Sequence, residues 1–325
     1  LLLLKSQKGK ELVSKNSCII KKEENNFLLQ TGQGIYANVP NHKFSDVATP
    51  ELLESVTQCL DKHENHYDKN LLITCLPGCK DIIILLHFDE EVELCDWNKK
   101  LINVYLSKVS AAYKNLLLFE KNNKTQEAAI LSLAKLAEYK DNETGDHIKR
   151  VEKMAIAVAK RLFEKGAFKD IVNETFVKHI GIASILHDVG KVGISDRILL
   201  KPSKLTDEEY ELVKMHTIIG GAILADASEM ISGKNYLSMA AEIAECHHEQ
   251  FAGGGYPHSL KQDSIPVSAR IIAVVDVYDA LTSKRPYKEP WPIEKAIAIL
   301  EDSKGTQFDP VVVDAFLELL REKSE

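Results

Sequence analysis

Seven of the eleven histidines fall between His147 and His258, with carboxylates close by. Glu143 and His147 are four apart, so they share a helix face or the turn that enters it. His187-Asp188 is an adjacent pair closing the apolar run from Ile180 to Leu186, and Gly190 and Lys191 follow it. His216 sits within a helical pattern, His247-His248 form a second adjacent pair, and Asp276 interrupts the apolar stretch from Ile271 to Tyr278. Neighbours on a helix point about 100° apart. One member of a pair can therefore bind one metal ion and its neighbour a second, with a carboxylate such as Asp188 bridging both. Imidazole and carboxylate without thiolate suit Fe, Mn, Ni or Zn and disfavour a structural cysteine-zinc site. A single histidine of this kind is readily a core residue bonded to backbone. Two adjacent pairs plus an aspartate in an apolar helix are not so easily explained, because burying that much polarity without a metal is costly.

The elements that must position these groups read as helices. Apolar periodicity predicts helices over Glu127–Lys140, His147–Glu164, Thr175–Leu186, Thr206–Ala225, Leu237–Cys246, Ser268–Leu281, Ile293–Asp302 and Pro310–Lys323. Thr206-Asp207-Glu208-Glu209 is a capping-box pattern that fixes one start. With no alternating strand runs, residues 126–325 are expected to form an all-α bundle. Upstream, Trp97, Leu101, Tyr105, Val109, Ala112, Leu116 and Phe119 recur at spacings of three and four, and no Pro or Gly interrupts Glu93 to Asn142. Only Lys121 to Lys124 is a polar break, so residues 93–125 read as a long connecting helix, single or in two nearly continuous pieces. It either packs on its own domain or pairs with a second copy as a signalling helix. Residues 1–92 mix strand-like runs (Cys18–Ile20, Phe27–Ala37, Leu71–Leu76, Ile82–Phe88) with a helix opening at Thr49-Pro50 and reaching about Asn65. That α+β order fits a small sensor module, of which a GAF-like domain is one example, and no ligand signature is legible in it.

Composition bounds the function. At 325 residues two domains are expected, since domains usually run to about 100–200 residues. The formal charge of −7 is uneven: residues 1–125 carry 16 basic and 16 acidic side chains, residues 126–325 carry 25 and 32. An acidic domain without a basic stripe is a poor holder of polymeric nucleic acid. The six cysteines are too sparse for a disulfide framework. Cys75 and Cys79, either side of Leu-Pro-Gly, read as two unconnected thiols rather than a metal or disulfide pair. No apolar run approaches the roughly 20 residues of a membrane span. Leu1 to Leu4 is no signal peptide, and the missing initiator Met suggests a fragment with something upstream. A reduced cytoplasm is the expected compartment.

The motifs together resemble the HD superfamily of metal-dependent phosphohydrolases, and more fully its HD-GYP branch, bacterial phosphodiesterases of cyclic di-GMP. The matching strings are Glu143-Thr144-Gly145-Asp146-His147, His187-Asp188-Val189-Gly190-Lys191, His247-His248-Glu249 and Gly255-Tyr256-Pro257. Further matches are Ile265-Pro266 with Ala269-Arg270-Ile271, Asp276 through Thr282, Arg285-Pro286-Tyr287-Lys288 and Gly305 through Pro310. The resemblance covers roughly residues 126–320 in order.

It implies that His147, His187, Asp188, His216, His247, His248 and Asp276 ligate two divalent ions, probable metals being Fe or Mn, and that Glu143 ligates a third. Asp188 and Lys191 would be catalytic, with Lys191 near a phosphate oxygen as charge stabiliser or proton donor. Tyr256, Asp279, Arg285 and Lys288 would contact substrate. A hydroxide bridging two cations about 3.5–4 Å apart is nucleophilic at neutral pH. Attack on a 3′–5′ phosphodiester would give linear pGpG and, after a second turn, GMP. Two alternatives stand beside this: a receptor or interaction module with negligible turnover, and a related enzyme preferring pGpG or a mixed cyclic dinucleotide. A homodimer through the connecting helix and a GGDEF-domain partner at the Gly-Tyr-Pro loop are the implied protein contacts. The chain departs from the pattern at His258-Ser259, where a basic residue and Gly are common, and at Gln262, where Gly is frequent. His258 reads as a solvent-facing loop residue rather than an extra substrate contact.

Overall fold

The computed structural model describes residues 4–5, 11–12, 14–23, 26–33, 43–46, 48–62, 64–68, 71–77, 82–88, 95–140, 146–231, 233, 235–283 and 289–322. They fall into two compact units, residues 1–123 and 124–325.

In the first unit β1 (Leu4–Lys5) and β2 (Glu11–Leu12) form a short antiparallel pair. The main sheet has β3 (Ser14–Glu23), β4 (Asn26–Gln33), β5 (His66–Asp68), β6 (Leu71–Cys75) and β7 (Ile82–Phe88) in the order β4-β3-β7-β6-β5, every pair antiparallel. Side chains alternate across it, as the two-residue period of a strand requires. Ile73, Cys75, Ile83 and Leu85 face α1 (Pro50–Lys62), meeting Val56, Cys59, Leu60 and the buried Phe44. Leu72, Ile82, Ile84 and Leu86 face α2 (Asp96–Tyr139), meeting Ile102, Leu106, Val109 and Tyr113.

Several expectations change here. Of the strand expected over 27–37, Asn26–Gln33 is observed as β4 and residues 34–37 lie outside the described residues; α1 ends at Lys62, against an expected end near Asn65. Lys121 to Lys124 does not interrupt α2, and the division between units falls inside that helix. Its packed stripe is Ile102, Leu106, Val109 and Tyr113, which shares Val109 with the expected one and otherwise lies beside it. Trp97, Leu101, Tyr105, Leu116 and Phe119 are exposed. Cys79 lies outside the described residues. Cys75 instead sits against Cys59 of α1, with sulfurs 3.1 Å apart, a proximity set by helix-on-sheet packing.

The second unit is helical, with no strand among its described residues: α3 (Asp146–Glu164), α4 (Glu174–Ser184), α5 (Asp196–Leu199), α6 (Asp207–Glu229), α7 (Tyr236–Cys246), α8 (Val267–Thr282), α9 (Ile293–Asp302) and α10 (Pro310–Glu322). The capping box is present: the Glu209 amide donates to the Thr206 hydroxyl and the Thr206 amide to Glu209 Oε2. One apolar core joins Val151, Ala155, Val158 and Leu162 of α3 to Ile180 of α4, Ile243 of α7, Ile271 and Val275 of α8, and Val313 and Phe316 of α10. The helices crossing this core bring their polar ends together at one place.

Candidate metal centre

Both adjacent pairs sit just beyond helix ends, following the helices expected to close at Leu186 and Cys246. α4 ends at Ser184 and His187-Asp188 occupy the turn that follows; α7 ends at Cys246 and His247 caps it. His147 lies in the first turn of α3, His216 inside α6 and Asp276 inside α8. The carboxyl-terminal ends of α4 and α7 are negative poles, and cations are favoured beside such ends.

The turn bearing Asp188 reaches α6 because Gly190 has no side chain. A Cβ there would lie 1.9 Å from the His216 carbonyl oxygen and 2.5 Å from the Gly220 nitrogen. With that approach allowed, Asp188 Oδ1 stands 3.4 Å from His216 Nε2 and 3.8 Å from His247 Nε2. The other oxygen, Oδ2, stands 3.4 Å from His187 Nε2 and 2.7 Å from Lys191 Nζ.

Two groups of donors flank this carboxylate. His216, His247 and His248 form one; His147, His187 and Asp276 form the other, and within each the potential ligand atoms lie within 4.8 Å of one another. Backbone carbonyls fix three of the rings. His187 Nδ1 donates to Ser184 O at 2.8 Å, His216 Nδ1 to Val213 O at 2.6 Å, and His247 Nδ1 to Ile243 O at 3.0 Å. Each bond sets the tautomer and turns the Nε2 lone pair inward. The Nε2 atoms of His187, His216 and His247 and Asp188 Oδ1 are buried and make no hydrogen bond. Leaving such atoms unpaired costs about 1–3 kcal/mol each, and cations held by the two donor groups would satisfy them. The donor set therefore fits two divalent ions with Asp188 between them.

Among the protein's own groups, electrostatics separates His216, His247 and His248 from His187. Burial pushes His247 well below the usual imidazole range and, despite Asp188 and Asp276, brings His248 to about 4. Burial also lowers His216. These rings are neutral at pH 7, the form that ligates metal. Burial opposes charge on His187 too, but Asp188 and Asp276 outweigh it and lift that ring to about 9. Burial alone would raise the Asp188 carboxyl; Lys191 and His187 overcome it and hold the group well below its ordinary range.

Asp279, expected to contact substrate, is instead observed in contact with protein groups. It is 2% exposed and both oxygens are engaged. His147 Nδ1 donates to Oδ2 at 2.7 Å, and Arg150 donates from Nε to Oδ1 at 2.6 Å and from Nη2 to Oδ2 at 2.9 Å. Burial opposes the charge, but His147 and Arg150 bring the Asp279 pKa to about 2. Asp279 thus aims His147. Arg150 was not singled out in the sequence; its position one helical turn after His147 is the only local signal.

Tyr256 is beside the centre, its ring 4.7 Å from that of His248. The preceding glycines serve the loop's own folding: Gly253 and Gly254 have φ of +94° and +89°, and a Cβ on Gly255 would lie 2.3 Å from the Gln250 nitrogen. His258 is exposed and pairs with Glu245 at 2.7 Å. Ser259 and Gln262 take φ of +54° and +47°, the left-handed region that explains why Gly is common there in the family it resembles. Glu143, Arg285 and Lys288 lie outside the described residues.

Residues 120–312 match the family described as "HD domain", more than half of the chain. The chain belongs to the HD domain family. Residues 1–121 match a second family, described as "Domain of unknown function (DUF3369)". The HD domain region is 45% identical over 197 residues to a "Probable cyclic di-GMP phosphodiesterase" of Vibrio cholerae serotype O1, covering 60% of this chain and 44% of that protein. It is 46% identical over 187 residues to a "Cyclic di-GMP phosphodiesterase" of Thermotoga maritima, covering 58% of this chain and 47% of that one. A "3'3'-cGAMP-specific phosphodiesterase 2" of Vibrio cholerae is 36% identical over 234 residues, covering 72% of this chain and 42% of that protein. The chain thus spans under half the length of each of these HD domain relatives. No helix among the described residues is long and apolar enough to cross a membrane.

Proposed function

We propose that this chain is a metal-dependent phosphodiesterase of cyclic di-GMP. The observation that carries the reading is the pair of three-donor groups beside Asp188, in which the Nε2 atoms of His187, His216 and His247 are buried without a hydrogen bond. Relatives named as cyclic di-GMP phosphodiesterases support the choice of substrate.

In this reading His216, His247 and His248 hold one divalent ion, His147, His187 and Asp276 the other, and Asp188 reaches both. Bound ions of this kind supply a nucleophile at neutral pH and neutralise charge on the phosphate during in-line displacement. Lys191, held 2.7 Å from Asp188 Oδ2, faces the phosphate and delivers positive charge or a proton to the leaving oxygen. Asp279, backed by Arg150, holds His147 in its ligating tautomer. Tyr256 walls the site, Arg285 and Lys288 bind substrate phosphate and guanine, and Glu143 adds a third ion. The product is pGpG, with GMP after a second hydrolysis. Fe and Mn are the metals proposed.

The first unit is read as a GAF-like sensor, and α2 as the helix that conveys its state. The exposed apolar face of α2, including Trp97, Leu101, Leu118, Leu133 and Leu136, supports pairing with a second copy. A GGDEF-domain partner at the Gly-Tyr-Pro loop and a cytoplasmic location complete the proposal.

A mixed cyclic dinucleotide is the second reading, favoured by the cGAMP-specific relative. Elemental analysis of anaerobically purified protein, coupled to product analysis on cyclic di-GMP, pGpG and 3'3'-cGAMP, tests both. At least two metals per chain with fastest conversion of cyclic di-GMP is expected. Faster turnover of 3'3'-cGAMP would transfer the assignment, and metal-loaded protein that binds cyclic di-GMP without hydrolysing it would make the chain a receptor.

A further inference from the structure

An aromatic series leads out of the metal centre. The rings of His247 and His248 are 4.0 Å apart, those of His248 and Tyr256 4.7 Å, and those of Tyr256 and Tyr210 6.5 Å. The series ends at Tyr210 in the first turn of α6, whose side chain is 47% exposed. One helical turn on, the Lys214 ammonium lies 5.0 Å from the centre of the Tyr210 ring and 5.4 Å from that of Tyr256. Glu211 holds that ammonium in place at 2.6 Å. An exposed ring set edge-on to its neighbour at 78°, with a cation near its centre, offers what a planar base uses: a π surface for stacking and a positive charge for its acceptor atoms and adjoining phosphate.

We propose that Tyr210 and Lys214 form the base-binding arm of this site, stacking one purine of a cyclic dinucleotide whose phosphate lies at the Asp188 centre. The inference rests on the dinucleotide reading above and extends it to residues that the sequence motifs do not include. Tyr210 is a specificity residue; it touches base and leaves the metals alone.

The test compares Tyr210→Ala and Tyr210→Phe with the unmodified metal-loaded protein. Calorimetry measures binding of a phosphorothioate analogue of cyclic di-GMP that resists hydrolysis, and of inorganic phosphate as a base-free probe. Elemental analysis follows the metals. Tyr210→Ala is expected to weaken the analogue about ten-fold or more. Tyr210→Phe should stay within about three-fold, because the ring is what stacks. Phosphate affinity and metal content should not move in either variant. Unchanged analogue binding by Tyr210→Ala overturns the arm. So does a parallel loss of phosphate binding or metal, which would make Tyr210 a support of the centre. Unmodified protein that binds the analogue in a Tyr210-dependent way but never hydrolyses cyclic di-GMP sinks the catalytic reading and leaves the arm standing. No binding by the unmodified protein overturns both.

Discussion

The two halves of the centre are built on different principles. His216, His247 and His248 are all imidazole, and His216 and His247 are oriented by backbone carbonyls of their own helical turns. His147, His187 and Asp276 include a carboxylate, and His147 is oriented by buried Asp279 of α8, itself held by the partly exposed Arg150 of α3. The first half is therefore prepared by local folding. In the second, His187 is likewise set by Ser184 O, but His147 depends on α3 and α8 meeting, and its ligand strength can be tuned by side-chain substitution. A carboxylate hydrogen-bonded to a ligating histidine makes that histidine more basic and better oriented.

Removing what the halves share should have the largest effect. Asp188→Ala is expected to deplete metal from both halves and lower kcat by at least about 10³-fold; retention of one full equivalent in elemental analysis would show that the carboxylate does not join them. His247→Ala should remove one equivalent and leave the His147 half loaded, at a similar cost in turnover. Loss of both would mean that the halves fill together. Asp279→Asn sharpens the contrast: affinity should fall about 10–100-fold in one of two steps of a Mn²⁺ titration, leaving the other in place. Equal shifts in both steps would erase the distinction. The smallest effect lies outside the centre. Gln262→Gly should stabilise the protein by about 0.5–1 kcal/mol in urea unfolding, since a non-glycine residue at φ +47° is strained. Metal content should be untouched.

Much of the centre was legible because its signals are local. His187-Asp188 and His247-His248 announce themselves by adjacency, Asp276 by its apolar neighbours, and the start of α6 by the Thr206 cap. Asp279 carries no such signal, because its role arises only where α8 crosses α3, more than a hundred residues away in sequence. The stripe on α2 failed for another reason. Ile102 and Leu106 lie directly beside Leu101 and Tyr105, so periodicity of three and four fits two neighbouring faces equally well, and only the sheet selects between them. Likewise nothing in the spacing of Cys59 and Cys75 foretells that their sulfurs touch across a helix and a strand. The closeness of Gly190 to α6 was also hidden, since a glycine after a histidine-aspartate pair reads as turn chemistry until the backbone it approaches is known.

The carbonyls that accept from the histidine Nδ1 atoms have a second role. Ser184, Ile243 and Ala244 lie in the last turns of α4 and α7, where carbonyl groups ordinarily run out of amide donors. Here Ser184 O and Ile243 O still accept the backbone amides of His187 and His247, and the imidazoles add a second donor to each, so the same ring that presents a nitrogen to the centre also tethers the end of its helix. Fraying of either terminus would randomise a ligand, and pulling a ligand out of line would release a helix end. Helix integrity and metal retention are consequently expected to be coupled in this domain.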